Sequence, residues 1–191
     1  MPRLIEKQVI ESTLMRVVED TFRQLCHVDF SAAPVAEEKD VIEYDGHMRL
    51  FLMDKFNGQA YAGVVNYFLT QKDLDKGYPV GTFVVYVKEE VVEKFVKALG
   101  HSLHEAEDET VVKSVMGEFT GTLGGNFKNE LKVQGYNDLI LSAPLVFKNT
   151  VPDGVAFDYS LFKKQEFSFS FWKQKCIVVE TCIGHVPRNT P

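Results

Sequence analysis

The most unusual stretch of this sequence is residues 116–128, where four glycines surround one glutamate. The apolar residues in and around it keep helical spacing, which predicts a helix with one core-facing stripe. In that projection Glu118 points away from the stripe, on a face of small residues: Gly117, Gly121, Thr122 and Gly125. Small side chains let a second backbone approach closely. The pattern therefore predicts a surface at which a carboxylate meets a closely packed partner.

The same glycines allow a second interpretation. Each glycine costs a helix interior about 1 kcal/mol relative to alanine, and a cluster of them can mark a kink or a break. Glu118 would then be one of 27 acidic residues on the surface. Asn126 is a weaker candidate for chemistry, because it projects roughly 60° from the apolar stripe and is expected to be partly buried. Both interpretations of the glycine cluster remain open at this point.

Familiar catalytic motifs are absent from the sequence. The run from Gly121 to Gly125 lacks the Gly-Lys-Ser/Thr ending of a phosphate-binding loop, and no Gly-x-Ser-x-Gly elbow occurs. The three cysteines include no Cys-x-x-Cys pair, so neither a disulfide framework nor a zinc site is predicted. Glu118 and its neighbours thus remain the main candidates.

Residues 116–128 resemble the signature helix of the CheC/CheX/FliY family of chemotaxis phosphatases, most closely that of CheX. Gly117-Glu118 matches the opening of that helix, and Gly124-Gly125-Asn126 matches its close. The stretch Leu-Ser-Ala-Pro-Leu-Val at 141–146 is similar to the Ser/Thr-Pro-Pro-x-Val strand of the family. The order of these motifs along the chain strengthens the resemblance.

The resemblance implies dephosphorylation of a phospho-aspartyl receiver domain of the CheY type. In the family's mechanism the glutamate, here Glu118, pairs with a lysine of the receiver, and an asparagine amide orients water. The Mg²⁺ belongs to the receiver, so no cofactor of this chain's own is expected. The position of that asparagine is Gly121 here. Two functions follow: a phosphatase in which another group places the water, or a non-catalytic adaptor that binds a receiver domain or a paralogue.

Composition narrows the range of partners. The chain has 191 residues, of which 45% are apolar and 25% charged, with a net charge of −6. This balance predicts a folded protein that repels nucleic acid and anionic membrane surfaces. No apolar run is long enough to span a bilayer, and the N-terminus carries charges where a signal peptide needs apolar residues. We therefore expect a cytoplasmic protein.

Periodicity predicts three helices and several strands. The helices are expected at 4–26, 88–99 and about 108–133, and the strands at 83–87, 139–147, 155–162, 166–172 and 176–182. Two further signals, Asp45-Gly46 and Asn57-Gly58, predict hairpin turns that join strands 41–44, 47–56 and 59–69 into a meander. The expected class is α+β, with long helices packed on an antiparallel or mixed sheet, as in CheX-like proteins.

The organisation along the chain is expected to be simple. Residues 1–183 are expected to form a single CheX-like domain, with the polar, turn-rich segment 67–81 as an insertion. Residues 184–191 are expected to be a flexible tail. Exposed strand edges and the family resemblance predict a homodimer.

Overall fold

The computed structural model of the protein describes residues 5–189, which form an antiparallel sheet with helices on one face. The helices are α1 (Lys7–Cys26), α2 (Gln71–Lys76), α3 (Glu89–Ala98), α4 (Leu103–Glu107) and α5 (Glu109–Val133). The strands are β1 (Val35–Asp40), β2 (Glu43–Tyr44), β3 (His47–Met48), β4 (Ala60–Phe68), β5 (Gly81–Lys88), β6 (Ile140–Leu141), β7 (Leu145–Lys148), β8 (Lys163–Phe171) and β9 (Gln174–Ile183).

Seven strands form the main sheet. Their order is β1-β8-β9-β5-β4-β6, and β7 also pairs with β4. Every pairing in this sheet is antiparallel. The main core lies between the sheet and the helices α1, α3 and α5. The predicted α+β class, with long helices on an antiparallel sheet, is confirmed.

The three predicted long helices are confirmed as α1, α3 and α5. Each of them buries one apolar stripe against the core. The side chain of Asp108 accepts a hydrogen bond from the amide of Thr110 at 2.8 Å and so caps the start of α5. The helix then runs unbroken through all four glycines, so the interpretation of a break at the cluster is wrong. None of the helices within residues 5–189 is both long and apolar enough to cross a membrane.

Helix α5 lies close to strand β4 because glycines remove side chains on both sides of the contact. A β-carbon at Gly63 would lie 1.9 Å from the hydroxyl of Thr120, and one at Gly124 would lie 2.7 Å from Val65. The hydroxyl of Tyr67 donates to the carbonyl of Gly124 at 2.9 Å. Burial raises the pKa of Tyr67 well above its ordinary value, so this hydroxyl keeps its proton. These contacts hold α5 firmly against the sheet.

The predicted meander over residues 41–69 is largely wrong. The Asp45-Gly46 turn does form, with positive φ at both residues, but it joins strands of only two residues, β2 and β3, which are separate from the main sheet. Residues 49–59 contain no strand, and Asn57-Gly58 is not a hairpin turn. Met48, Leu50 and Leu52 are buried, so their alternation comes from packing on the outer face of the sheet.

Three further expectations need correction. Residues 155–162 form no strand, although Val155 makes an isolated bridge to Met48. Residues 35–40, where no strand is predicted, form the edge strand β1. The expected flexible tail is packed over residues 184–189, where Val186 is buried and Asn189 donates its amide to the carbonyl of Gly135 at 2.7 Å. Residues 190–191 of that tail, and residues 1–4, lie outside the described part of the chain.

The outer face of the sheet carries an unusual set of buried charges. Glu166 and Glu180 lie opposite each other on β8 and β9 and are almost completely buried. Lys55 contacts both carboxylates, while Lys164 lies 2.9 Å from Glu180 and Lys39 lies 2.6 Å from Glu166. Burial opposes ionisation of Glu166, but the hydrogen bonds from Lys39 and Lys55 lower its pKa to about 2. The network ties the covering segment 49–59 to the sheet.

Candidate functional site

Glu118 lies on the exposed side of α5, as the helical projection predicts. It borders a shallow groove of about 700 Å³ between α5 and the segment that contains β7. The helix contributes one wall and the floor, and the second wall comes from Pro144 and Val146. The groove is lined by Lys113, Ser114, Gly117, Glu118, Gly121, Thr122, Pro144 and Val146.

The floor of the groove is open at Gly121. A β-carbon there would meet no neighbouring group within 4 Å, so the position is free of packing constraints. Gly117, by contrast, is covered, since a β-carbon there would lie 3.6 Å from both Pro144 and Val146. The absence of a side chain at Gly121 therefore leaves room for a group from a partner. The absence of one at Gly117 instead lets Pro144 and Val146 pack close to the helix.

Strand β7 is held in place by its pairing with β4. Val146 pairs with Gly63, and Gly63 is the residue that lets Thr120 of α5 approach the sheet. Both sides of the groove, β7 and α5, therefore pack against the same strand, β4, which fixes their relative position. Leu145 is 59% exposed beside this wall and adds an apolar contact surface.

The charges around the groove leave Glu118 available. Lys113 pairs with Glu109 at 2.8 Å, and Lys148 contacts the same carboxylate at 3.2 Å. Hydrogen bonds from these two lysines lower the pKa of Glu109. Within residues 5–189 no ion pair involves Glu118. An exposed carboxylate next to an open floor can accept hydrogen bonds from a cationic side chain of a partner.

Only some of the other predicted site residues lie in the groove. Gly117, Gly121 and Thr122 line the groove with Glu118, but Gly125 lies beyond it in open space. Asn126 lies outside the groove, is exposed rather than partly buried, and donates to the hydroxyl of Thr21 in α1 at 3.2 Å. It borders a different, smaller depression between α1 and α5.

Sequence reasoning missed the groove's other polar residues and its second wall. Ser114 lies four residues before Glu118, and Lys113 lies four residues before Gly117, a spacing that makes each pair neighbours on the helix surface. Pro144 and Val146 belong to the stretch that resembles the family's Ser/Thr-Pro-Pro-x-Val strand, but only the strand pairing places it opposite α5. Among residues 5–189 no group of three His, Cys, Asp or Glu side chains is arranged to hold a metal ion.

Comparisons with known proteins point to the chemotaxis proteins that the sequence resembles. A family model described as "Chemotaxis phosphatase CheX" matches residues 74–153, which include α5 and β7. No curated protein matches the sequence. A CheC-like superfamily protein from Shewanella sp. PV-4 has 16% identity and a TM-score of 0.64, with 93% of this chain and 98% of that chain covered.

Two further solved structures have the same fold. FliY from Thermotoga maritima has 15% identity and a TM-score of 0.57, with 94% of this chain and 91% of that chain covered. CheX in a CheX–CheY–BeF3–Mg²⁺ complex from Borrelia burgdorferi has 13% identity and a TM-score of 0.54, with 96% of this chain and all of that chain covered. The resemblance to CheC/CheX/FliY proteins is confirmed, and the chain has their α+β fold.

Proposed function

We propose that this chain binds the phosphorylated receiver domain of a response regulator, through the groove beside Glu118. The observation that carries this proposal is the exposed Glu118 carboxylate, which has no cationic partner within residues 5–189 and borders the open floor at Gly121. The structure of a CheX protein with CheY, BeF3 and Mg²⁺ supports this class of partner. The Mg²⁺ would come with the receiver.

The groove suits a partner that inserts a side chain and packs its backbone against α5. The open space at Gly121 admits the inserted group, and Glu118 can pair with a cation such as a receiver lysine. Pro144, Val146 and the exposed Leu145 provide apolar area along the other wall. Binding energy would come from the apolar contact, and orientation from the charge pair.

Binding without rapid hydrolysis is the function that this groove supports best. A side-chain amide can donate a hydrogen bond to a water and accept one from it, and these two bonds orient the water for attack. None of the groove-lining residues carries an amide. A phosphatase is the second candidate, favoured by the retained glutamate and by the family match over 74–153. In that case the group that places the water comes from the receiver.

Charge reversal at Glu118 tests the binding. Glu118→Lys should weaken the affinity for a receiver loaded with BeF3 and Mg²⁺ by roughly tenfold or more, since a favourable pair becomes a repulsive one. Stability should change by no more than about 0.5 kcal/mol, because the residue is exposed. Glu107→Lys is the matched control, an equal charge change on exposed surface in α4 outside the groove.

Isothermal titration calorimetry measures the affinity for receiver domains from the same organism, and thermal unfolding measures the stability of each variant. The docking role is refuted if Glu118→Lys binds as tightly as Glu107→Lys. The proposal as a whole fails if the wild-type protein binds no loaded receiver. The decay rate of each phosphorylated receiver, with and without the protein, then separates the adaptor from the phosphatase.

A further inference from the structure

A second pocket, unrelated to the groove, is formed where the segment between β4 and β5 meets residues 157–159. Its volume is about 330 Å³. The floor is apolar and includes Val80 and Phe157, both buried. Two exposed tyrosines lie at its rim, Tyr78 with a relative exposure of 64% and Tyr159 with 57%. None of its residues lines the groove beside Glu118, so the two sites are independent.

Part of this pocket comes from the segment expected to be an insertion, residues 67–81. Tyr67 and Phe68 belong to β4 and are buried, whereas the following residues form α2 and a turn that is mostly exposed. Tyr78 lies in that turn. The polar segment therefore has a local structure of its own, and it presents an aromatic ring to solvent.

Two carboxylates complete the rim, and both are held in position. Asp73 accepts a hydrogen bond from the hydroxyl of Thr70 at 2.6 Å. One oxygen of Asp158 accepts from the amide and the hydroxyl of Ser160, at 2.9 and 2.7 Å. Its other oxygen occupies the space where a side chain at Gly184 would lie. The orientation of these acids is thus fixed before any ligand arrives.

The charge of the pocket is not compensated from within the chain. None of the eight lining residues is basic, and no ion pair within residues 5–189 involves Asp73 or Asp158. The rim thus combines two negative charges with two exposed tyrosines beside an apolar floor. A cation with a flat, weakly hydrated surface satisfies all three features, because it stacks on tyrosine and pairs with carboxylates.

We propose that this pocket binds an arginine side chain from a basic segment of a partner protein. Guanidinium fits better than ammonium here, since it can stack on a tyrosine ring while it donates several hydrogen bonds in its plane. The chain itself contains one such contact elsewhere, in which the guanidinium of Arg49 lies 4.7 Å from the ring centre of Tyr44. Exposed aromatic rings around a pocket are typical of protein-binding surfaces, which favours a peptide ligand.

The test uses the full chain and three short probes: Ac-Gly-Arg-Gly-NH2, its lysine equivalent, and its citrulline equivalent, in which the guanidinium is replaced by a neutral group of similar shape. In an NMR titration at low salt, the arginine peptide should saturate with a dissociation constant on the order of millimolar. The shifted amides should lie in 70–80 and 157–160. The lysine peptide should bind more weakly, and the citrulline peptide at least roughly tenfold more weakly.

Two variants locate the site. Tyr78→Leu keeps apolar bulk but removes the ring, and Asp73→Asn keeps a hydrogen-bond acceptor for Thr70 but removes the charge. Each should weaken binding by roughly threefold or more, whereas Tyr44→Leu, a change at an equally exposed tyrosine outside the pocket, should have no effect. Equal binding of the arginine and citrulline peptides, shifts elsewhere on the protein, or no saturable binding would each overturn the proposal.

Discussion

Gly121→Asn is the most direct test of how this groove relates to catalysis. No neighbouring group lies within 4 Å of the position that the new β-carbon would take, so the first atom of the asparagine side chain fits without contact. Position 121 is inside the unbroken helix α5, where asparagine is more favourable than glycine by about 0.3 kcal/mol. The folded state should therefore be unchanged or slightly more stable.

The new amide would stand about one helical turn from the Glu118 carboxylate, on the floor of the groove. If only the water-orienting group is missing, the dephosphorylation rate of a bound receiver should rise by about tenfold or more, which corresponds to about 1.4 kcal/mol of barrier. The assay follows phosphate loss from a phosphorylated receiver at saturating concentrations of this protein, so that binding and chemistry are separated.

Two controls make the outcome specific. Gly121→Ala adds the same β-carbon without the amide and should leave the rate unchanged. Gly125→Asn places an amide at an equally open position of α5 that lies outside the groove. The reasoning is refuted if Gly121→Asn is no faster than Gly121→Ala while both bind normally. It is equally refuted if the wild-type protein is already fast and the asparagine slows it.

The remaining predictions concern the fold and its assembly. Lys55→Met should lower the free energy of unfolding by about 3 kcal/mol in urea titrations, because Glu166 and Glu180 stay buried with fewer partners. The lowered pKa of Glu166 stabilises the fold above about pH 4.5, and this contribution should be lost as the pH falls towards 2, as thermal unfolding against pH can measure. Gly124→Ala should destabilise by about 1 kcal/mol through its contact with Val65, whereas Gly125→Ala should stabilise by a similar amount. Light scattering at micromolar concentration should give twice the 21.7 kDa mass of one chain, and a monomer mass would refute the homodimer.

Helical periodicity was the most informative signal in this sequence. It placed α1, α3 and α5 to within a few residues, because each helix packs one continuous stripe against the same sheet. It also oriented Glu118 correctly, since a helix 25 residues long fixes the direction of every side chain along it. The candidate carboxylate could therefore be placed from the sequence alone.

Alternation was less informative, because burial every second residue does not require strand pairing. Met48, Leu50 and Leu52 alternate with exposed or half-buried residues, yet the segment covers the sheet without pairing with it anywhere along 49–52. Strand β1 was missed for the opposite reason. At the sheet edge both of its faces are largely exposed, so its charged residues 37–40 show no alternation at all.

The second wall of the groove and the arrangement of β7 depend on long-range pairing, which no local pattern encodes. That wall also limits what the chain can do chemically. Thr122 and Ser114 supply hydroxyls, Lys113 is paired with Glu109, and Pro144 and Val146 present only carbon to the groove. None of the side chains that line the groove is an amide, the group that both donates to water and accepts from it in a fixed planar geometry. Under the phosphatase alternative, we therefore expect the group that places the water to arrive with the receiver. A receiver variant that lacks this group should then lose hydrolysis, while its binding should still depend on Glu118.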